Sequence, residues 1–124
     1  MPWTSDHDSV TIGKMTEQLA ATYLTEKGLI VKDCNFHNRR GELDLIMTEA
    51  DTWVFVEVKY RKNANFGGAI ASISAAKQQK IKQCAAYYLQ NAGLNEYNTP
   101  CRFDVVTLEG NIANPEITWL KNAF

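Results

Sequence analysis

The sequence predicts a mixed α/β fold, in which helices cover the faces of one central sheet. Apolar residues recur at helical spacing in two separate segments, residues 10–27 and a second segment that ends near Asn91. Short stretches rich in Val, Ile, Leu and Phe, typical of strands, lie between and after these segments. Because the second helix falls between strands, it is expected to act as a right-handed crossover that places the fourth strand parallel to a neighbour.

The first helix is predicted from Val10 to Lys27, with Gly28 as its C-terminal stop. A first strand, "LIVKDCNF", follows it directly. The apolar positions that give the helix its periodicity are Ile12, Met15, Leu19, Ala20, Tyr23 and Leu24.

Residues 39–61, "RRGELDLIMTEADTWVFVEVKYR", are interpreted as a hairpin with "TEADT" as its turn. On its second strand, Val54 and Val56 lie on one face, and Trp53 and Phe55 lie on the other with Ile46 of the partner strand. The third strand of the chain is therefore expected to be buried on both faces.

The remaining elements follow from turn and cap signals. Residues 61–72, "RKNANFGGAIAS", form a predicted loop around Gly67 and Gly68. Ser72 or Ser74 is expected to cap a second helix that ends near Asn91. Its apolar line consists of Ile81, Cys84, Ala85, Tyr88 and Leu89. After a turn region between Gly93 and Pro100, "RFDVVTLE" and "EITWL" are predicted as strands, with Arg102 pairing with Asp104 on one strand face.

Length and composition predict a single domain over residues 1–124, with residues 1–9 as a poorly ordered leader. Apolar residues make up 45% of the chain and charged residues 22%, as in ordinary globular proteins. No apolar run is long enough to span a bilayer and no signal peptide is evident, so a cytoplasmic protein without a membrane partner is expected. The three cysteines form no CxxC pair and are expected to be free thiols.

The charge of the chain is unevenly distributed. The formal net charge is −1, which does not favour a protein that simply coats nucleic acid. Residues 32–82 nevertheless carry nine Lys or Arg against six Asp or Glu. The middle of the chain is therefore its basic part, which is weak support for a polyanionic partner.

Four charged side chains lie toward the far ends of the hairpin strands, and the turn decides how they meet. With a two-residue loop at Ala50–Asp51, Asp44 faces Glu57 and Glu42 faces Lys59. With a four-residue loop, Glu42 faces Glu57 instead. With a three-residue loop, Glu57 points to the other side of the sheet.

Facing carboxylates repel each other at about 5 Å, more strongly as water is removed. Protonation of one acid or neutralisation by Lys59 would relieve this repulsion. A divalent cation is the more economical answer, because Mg²⁺ is usually bound by one or two carboxylates together with waters and substrate phosphates. The pattern therefore predicts a metal site with a lysine beside it.

The residues also carry a family resemblance. Asp44 followed thirteen positions later by "EVK" resembles the D…(D/E)xK signature of restriction-endonuclease-like nucleases. The resemblance extends, over about residues 13–108, to the YraN-like family of uncharacterised bacterial proteins, which resemble Holliday junction resolvases. The blocks that carry it, in family order, are "GKMTEQLAATYLTEKG", "NFHNRRGELDLI", "WVFVEVKYR", "NFGGAI", "AAKQQKI" and "RFDVV".

The resemblance implies a restriction-endonuclease-like αβββαβ core and a nuclease site that uses Mg²⁺ or Mn²⁺. Asp44 and Glu57 would hold the metal, and Lys59 would assist the attack. Glu17 would complete the metal shell or remain a solvated helix residue, and Glu42 would be a further ligand or a partner for Lys59. Six side chains are expected to contact nucleic acid: Arg39, Arg40, Arg61, Lys62, Lys77 and Gln78. The first four flank strand ends, and their alternative role is merely to solubilise loops.

Two functions follow from this sequence. The first is a Mg²⁺-dependent endonuclease that hydrolyses phosphodiester bonds in DNA, including branched DNA, and the resemblance adds a homodimer. The second is a non-catalytic DNA-binding or partner-binding module on the same fold. DNA is expected rather than RNA, although the motif positions a phosphate without reading the sugar.

Overall fold

The computed structural model describes residues 9–63 and 73–124 of the chain. In this part, two helices and five strands follow one another in the order α1 Ser9–Glu26, β1 Ile30–Asn38, β2 Gly41–Glu49, β3 Thr52–Arg61, α2 Ala75–Asn91, β4 Cys101–Glu109 and β5 Glu116–Leu120. Residues 1–8 of the predicted leader, the Gly67–Gly68 pair and Ser72 lie outside the described residues, whereas Ser9 is the first residue of α1.

The strands form one mixed sheet with the spatial order β1-β2-β3-β4-β5. β1, β2 and β3 are antiparallel neighbours, β4 lies parallel to β3, and β5 pairs antiparallel with β4. The parallel pairing of β4 with β3 confirms that the fourth strand lies parallel to a neighbour, as predicted from the helix between them. The result is an α/β fold compatible with a restriction-endonuclease-like αβββαβ core.

The core consists of two apolar layers, one on each face of the sheet. Alternate residues of β3 enter different layers: Phe55 packs in the layer that contains α2, and Val54 and Val56 pack in the layer that contains α1. All three are at most 1% exposed, which confirms a strand buried on both faces. The two layers fix α1 and α2 on opposite sides of the sheet.

Local signals end and begin the helices where the sequence predicted. At the end of α1, Gly28 has a φ of 104°, and the Leu29 amide donates to the Leu24 carbonyl at 3.1 Å. This pattern is a Schellman cap, which needs a residue that tolerates the left-handed conformation. At the start of α2, the Ser74 hydroxyl accepts a hydrogen bond from the Lys77 amide at 3.1 Å.

The β2–β3 hairpin has the shortest of the three predicted loops. Glu49 pairs with Thr52 across a two-residue loop, and the ladder continues to Leu45 opposite Val56. Just beyond this ladder, the Val58 amide donates to Asp44 Oδ2 at 2.9 Å, which brings Asp44 beside the Glu57–Val58 segment. Ala50 in the loop has a φ of 53°, a left-handed conformation that is strained for alanine.

Among the described residues, neither helix is sufficiently long and apolar to cross a lipid bilayer.

Candidate functional site

A cleft of about 490 Å³ lies beside the β2–β3 ladder, on the side of the sheet that α2 covers. We call it the β2/β3 cleft. Its floor comes from the two strands and its wall from the first turns of α2. The lining residues are Gly41, Glu42, Asp44, Glu57, Val58, Lys59, Ser74, Ala76, Lys77, Lys80 and Ile81.

Asp44 and Glu57 form the centre of this cleft, and their carboxyl groups interact directly. Asp44 Oδ2 also accepts a hydrogen bond from the Val58 amide at 2.9 Å, across the hairpin. Glu57 is only 6% exposed although it carries a charge. Burial, followed by the negative charge of Glu57, raises the pKa of Asp44 to about 8. At neutral pH and without a cation, Asp44 is therefore mostly protonated.

Two lysines approach Glu57 from different elements. Lys77, on the first turn of α2, places its Nζ 2.8 Å from Glu57 Oε2, whereas Lys59 Nζ lies 4.0 Å from the same oxygen. Burial lowers the pKa of Lys59, and the neighbouring charge of Lys77 lowers it further. Burial alone would also lower the pKa of Lys77. The hydrogen bond of Lys77 to Glu57 and the attraction of that carboxylate outweigh burial, so the pKa of Lys77 is raised. Lys77 is thus the direct ion-pair partner of Glu57.

Glu42 lines the cleft, as predicted from its position two residues before Asp44 on the same strand face, and Glu42 is exposed to solvent. Glu17 lies on α1, in a separate pocket that it lines together with Asn35. Burial raises the pKa of Glu17 against a hydrogen bond from Asn35, and the charges of Glu42 and Glu57 raise it further. The Glu17 carboxyl, on the helix that packs against the opposite face of the sheet, therefore interacts electrostatically with the acids of the cleft.

The donor set fits a divalent cation held by two carboxylates. Across residues 9–63 and 73–124, no three His, Cys, Asp or Glu side chains are arranged as a metal-binding group. What the cleft offers is the Asp44 and Glu57 pair, whose mutual repulsion is now relieved by a proton and by Lys77. Mg²⁺ sites with one or two carboxylates complete their octahedra with waters and phosphate oxygens.

The predicted nucleic-acid contacts have different surroundings. Arg39 and Arg40 are exposed in the turn between β1 and β2, and Lys62 is exposed just beyond β3. Arg61 ends β3, where its carbonyl accepts from the Gly110 amide at 3.0 Å. The Gln78 side chain instead donates to the Ile73 carbonyl at 3.1 Å, where it supports the start of α2.

Sequence reasoning did not identify Lys80 and Ser74 as cleft residues. The signal for Lys80 was available, since it lies three positions after Lys77 and residues so spaced are neighbours on a helix surface. Ser74 was identified as a helix cap, and its place in the cleft wall follows from where α2 begins.

A second charged cluster lies away from the cleft and has a structural role. Arg102 Nε donates to Asp104 Oδ1 at 3.0 Å, which confirms their predicted pairing. Asp104 is fully buried and also accepts from the Trp119 indole and the Asn122 amide, each at 2.9 Å. Arg102 Nη1 reaches Glu49 at 2.8 Å. The cluster thereby ties β4 to β5 and to the hairpin turn.

Comparison with known proteins places these features in a wider group. The model of the uncharacterised protein family UPF0102 matches residues 16–108, a span that includes every residue of the β2/β3 cleft. A UPF0102 protein of Colwellia psychrerythraea is 62% identical over 112 residues, which is 90% of this chain and 87% of the relative. A relative in Legionella pneumophila is 48% identical over 90% of this chain and 92% of its own. One in Shewanella denitrificans is 46% identical over 93% of this chain and all of its own.

Proposed function

The chain belongs to the uncharacterised protein family UPF0102, the YraN-like family that its motifs resemble, and we propose that it is a metal-dependent endonuclease that hydrolyses phosphodiester bonds in DNA. The observation that carries this proposal is the Asp44 and Glu57 pair, held in a cleft together with Lys59, Lys77 and Lys80.

The cleft combines the groups that phosphodiester hydrolysis requires. Asp44 and Glu57 would hold Mg²⁺ or Mn²⁺, with the Val58 amide fixing the Asp44 carboxyl at 2.9 Å. When bound, the cation supplies charge neutralisation for the phosphate and activation of a water. Without cation and substrate, three lysines line the cleft with Glu42, Glu57 and a mostly protonated Asp44.

The lysines have separable roles. Lys59, 4.0 Å from Glu57 Oε2, is placed to orient the attacking water or to stabilise charge that develops on the phosphate. Lys77 pairs with Glu57 in the metal-free protein and would turn to the phosphate once a cation takes its place. Lys80 lies one helical turn further along α2 and would hold the adjacent phosphate.

Nuclease assays with labelled linear, nicked, flapped and four-way DNA, and with matching RNA, test this proposal. Wild type is expected to cleave with Mg²⁺ or Mn²⁺ and not to cleave in chelator. The cleavage rate of Asp44→Asn, Glu57→Gln or Lys59→Met should be lower by roughly a hundredfold or more, as expected when a charge-stabilising group is removed. Glu116→Gln, an exposed acid on β5, is the matched control and should retain full activity. Equal cleavage by wild type and Lys59→Met would identify a contaminating nuclease.

A second candidate, a non-catalytic DNA-binding or partner-binding module, is favoured by one specific observation. The cleft is already neutralised without metal, since Lys77 pairs with Glu57 at 2.8 Å and Asp44 has a pKa of about 8. If wild type binds DNA but neither binds Mg²⁺ or Mn²⁺ nor cleaves any substrate, this second function replaces the first.

The family resemblance extends the proposal to a homodimer. Met15 on α1 and Ile30 and Val31 on edge strand β1 are exposed apolar side chains that support a partner on this side. Sedimentation velocity of wild type and Ile30→Lys tests this extension, and a wild-type monomer at all concentrations would refute it.

A further inference from the structure

A second concave surface runs along the solvent side of α2 and reaches the β2/β3 cleft. This surface, which we call the α2 groove, has a volume of about 540 Å³. One end lies at Arg40 and Gln79, the chain neighbours of cleft residues Gly41 and Lys80. Gln90, eleven positions further along α2, lines the other end, a distance of about 16 Å along the helix.

Two tyrosines in the groove present their rings to solvent. Tyr97 is 89% exposed and Tyr87 is 38% exposed, both unusual for large aromatic side chains. The turn that carries Tyr97 is ordered by its own hydrogen bonds: the Tyr97 amide donates to Asn95 Oδ1 at 2.7 Å, and the Asn98 amide donates to the Asn95 carbonyl at 3.2 Å. Tyr87 lies 6.5 Å from the Phe36 ring, measured between centroids. The rings are therefore displayed by fixed backbone on the outside of the fold.

The rest of the lining is polar and carries positive charge. Arg40 and Lys82 outnumber the single acid Glu96. Gln79, Gln83 and Gln90 follow one face of α2 and supply amide donors and acceptors.

Basic side chains, exposed aromatic rings and amide groups in one groove are the combination that binds single strands. Bases stack on aromatic rings, cations follow the phosphates, and amides hydrogen-bond to base edges. A helical peptide would instead need apolar anchor pockets along the groove. Among the lining residues only Leu94 and Ala86 are aliphatic, so the lining favours a nucleic acid.

We infer that the α2 groove binds single-stranded nucleic acid, with bases stacked on Tyr97 and Tyr87 and the strand leading into the β2/β3 cleft. This inference rests on the proposed function, because it assigns a strand path to the same site. It also defines the substrate class more closely: DNA with an unpaired segment next to the scissile bond.

Fluorescence anisotropy with fluorescein-labelled dT15, rU15 and a 15-base-pair duplex tests the inference, in chelator so that binding is measured without cleavage. Wild type is expected to bind dT15 more tightly than duplex. Tyr97→Ala should weaken dT15 binding by roughly tenfold, within the range measured for stacking aromatics, and Tyr97→Phe should stay within about twofold because the ring remains. Thr118→Ala, which shortens an exposed side chain on β5 outside the groove, is the control and should bind as wild type does.

A salt titration adds an independent readout. Arg40→Gln should reduce the slope of log K against log salt by about 0.7, the value for one phosphate contact on a single strand. The rU15 arm distinguishes a DNA strand from an RNA strand as the preferred occupant.

The inference is overturned if wild type binds neither single strand, or if Tyr97→Ala binds dT15 as tightly as wild type. Either result leaves the proposed nuclease intact when metal-dependent cleavage of duplex or branched DNA is observed. Conversely, groove binding that depends on Tyr97 in a protein that cleaves nothing upholds the groove and refutes the nuclease.

Discussion

Replacing Asp44 with Asn should stabilise the metal-free protein at neutral pH. The Asp44 carboxyl is buried beside Glu57, and its pKa rises from 3.8 to about 8 on folding. Asn keeps an oxygen that can accept from the Val58 amide, now at 2.9 Å, but carries no charge. The substitution therefore removes the electrostatic cost and retains the hydrogen bond.

The sign of the pH dependence follows from the raised pKa. Below pH 3.8 the carboxyl is protonated in both the folded and unfolded states, so its contribution to stability is complete. Between pH 3.8 and about 8, only the unfolded state releases the proton, and stability falls by about 1.4 kcal/mol per pH unit. At pH 7 the accumulated cost is on the order of 4 kcal/mol.

Urea denaturation of wild type and Asp44→Asn in chelator, at one-unit intervals from pH 5 to pH 9, measures this difference. The free energy of unfolding of the variant should exceed that of wild type at pH 7, and the gap should narrow toward pH 5. Asp104→Asn, in the buried cluster away from the cleft, is the control and should be less stable than wild type at pH 7, because Arg102 loses a charged partner. An Asp44→Asn variant less stable than wild type at pH 7, or a gap that does not change with pH, would refute the reasoning about the cleft.

Three further predictions test other contacts. Lys77→Met should lower the free energy of unfolding of the metal-free protein by about 1 kcal/mol, because Glu57 loses its partner at 2.8 Å. The same substitution should tighten Mn²⁺ binding, measured by calorimetry, and an unchanged affinity would argue against competition between Lys77 and the cation. Ala50→Gly should raise the free energy of unfolding by about 0.5 kcal/mol, measured in thermal melts, because glycine accepts a φ of 53° without strain. A lower free energy of unfolding in this variant would contradict the two-residue loop. Asp104→Ala should cost about 3 kcal/mol in urea denaturation, because the Trp119 indole and the Asn122 amide lose their acceptor and Arg102 keeps Glu49 but loses Asp104. A cost below about 1 kcal/mol would contradict the proposed tie between β4 and β5.

Alternation and cap signals were sufficient to predict the fold. The period of two in β3 placed Val54 and Phe55 in different layers, and Gly28 and Ser74 marked helix ends because their chemistry suits those positions. Element order then left few ways to connect a helix between parallel strands.

The hairpin register could not be chosen from the sequence, because both even loops bring the acids to one face. The structure has the two-residue loop although its first residue, Ala50, is not one that tolerates a left-handed φ easily. Pairing and burial along β2 and β3 outweigh that local strain.

The charges around Glu57 were only partly predictable. Parity placed Lys59 next to Glu57, but the closer lysine is Lys77, which comes from a helix whose position depends on tertiary packing. Glu17 was predicted near the cleft by resemblance. The structure places it on α1 beside Asn35, where its charge acts on Asp44.

The central claim is that Asp44 and Glu57 hold a divalent cation, and calorimetric titration of Mg²⁺ or Mn²⁺ at pH 7 tests it most directly. Performed in two buffers of different ionisation enthalpy, the titration reports both the metal bound and the protons released. Wild type should bind one cation per chain. Because Asp44 has a pKa of about 8, binding at pH 7 should release nearly one proton, and both the binding and the proton release should disappear in Asp44→Asn. No binding by wild type, or the same binding and proton release in Asp44→Asn, would contradict the claim.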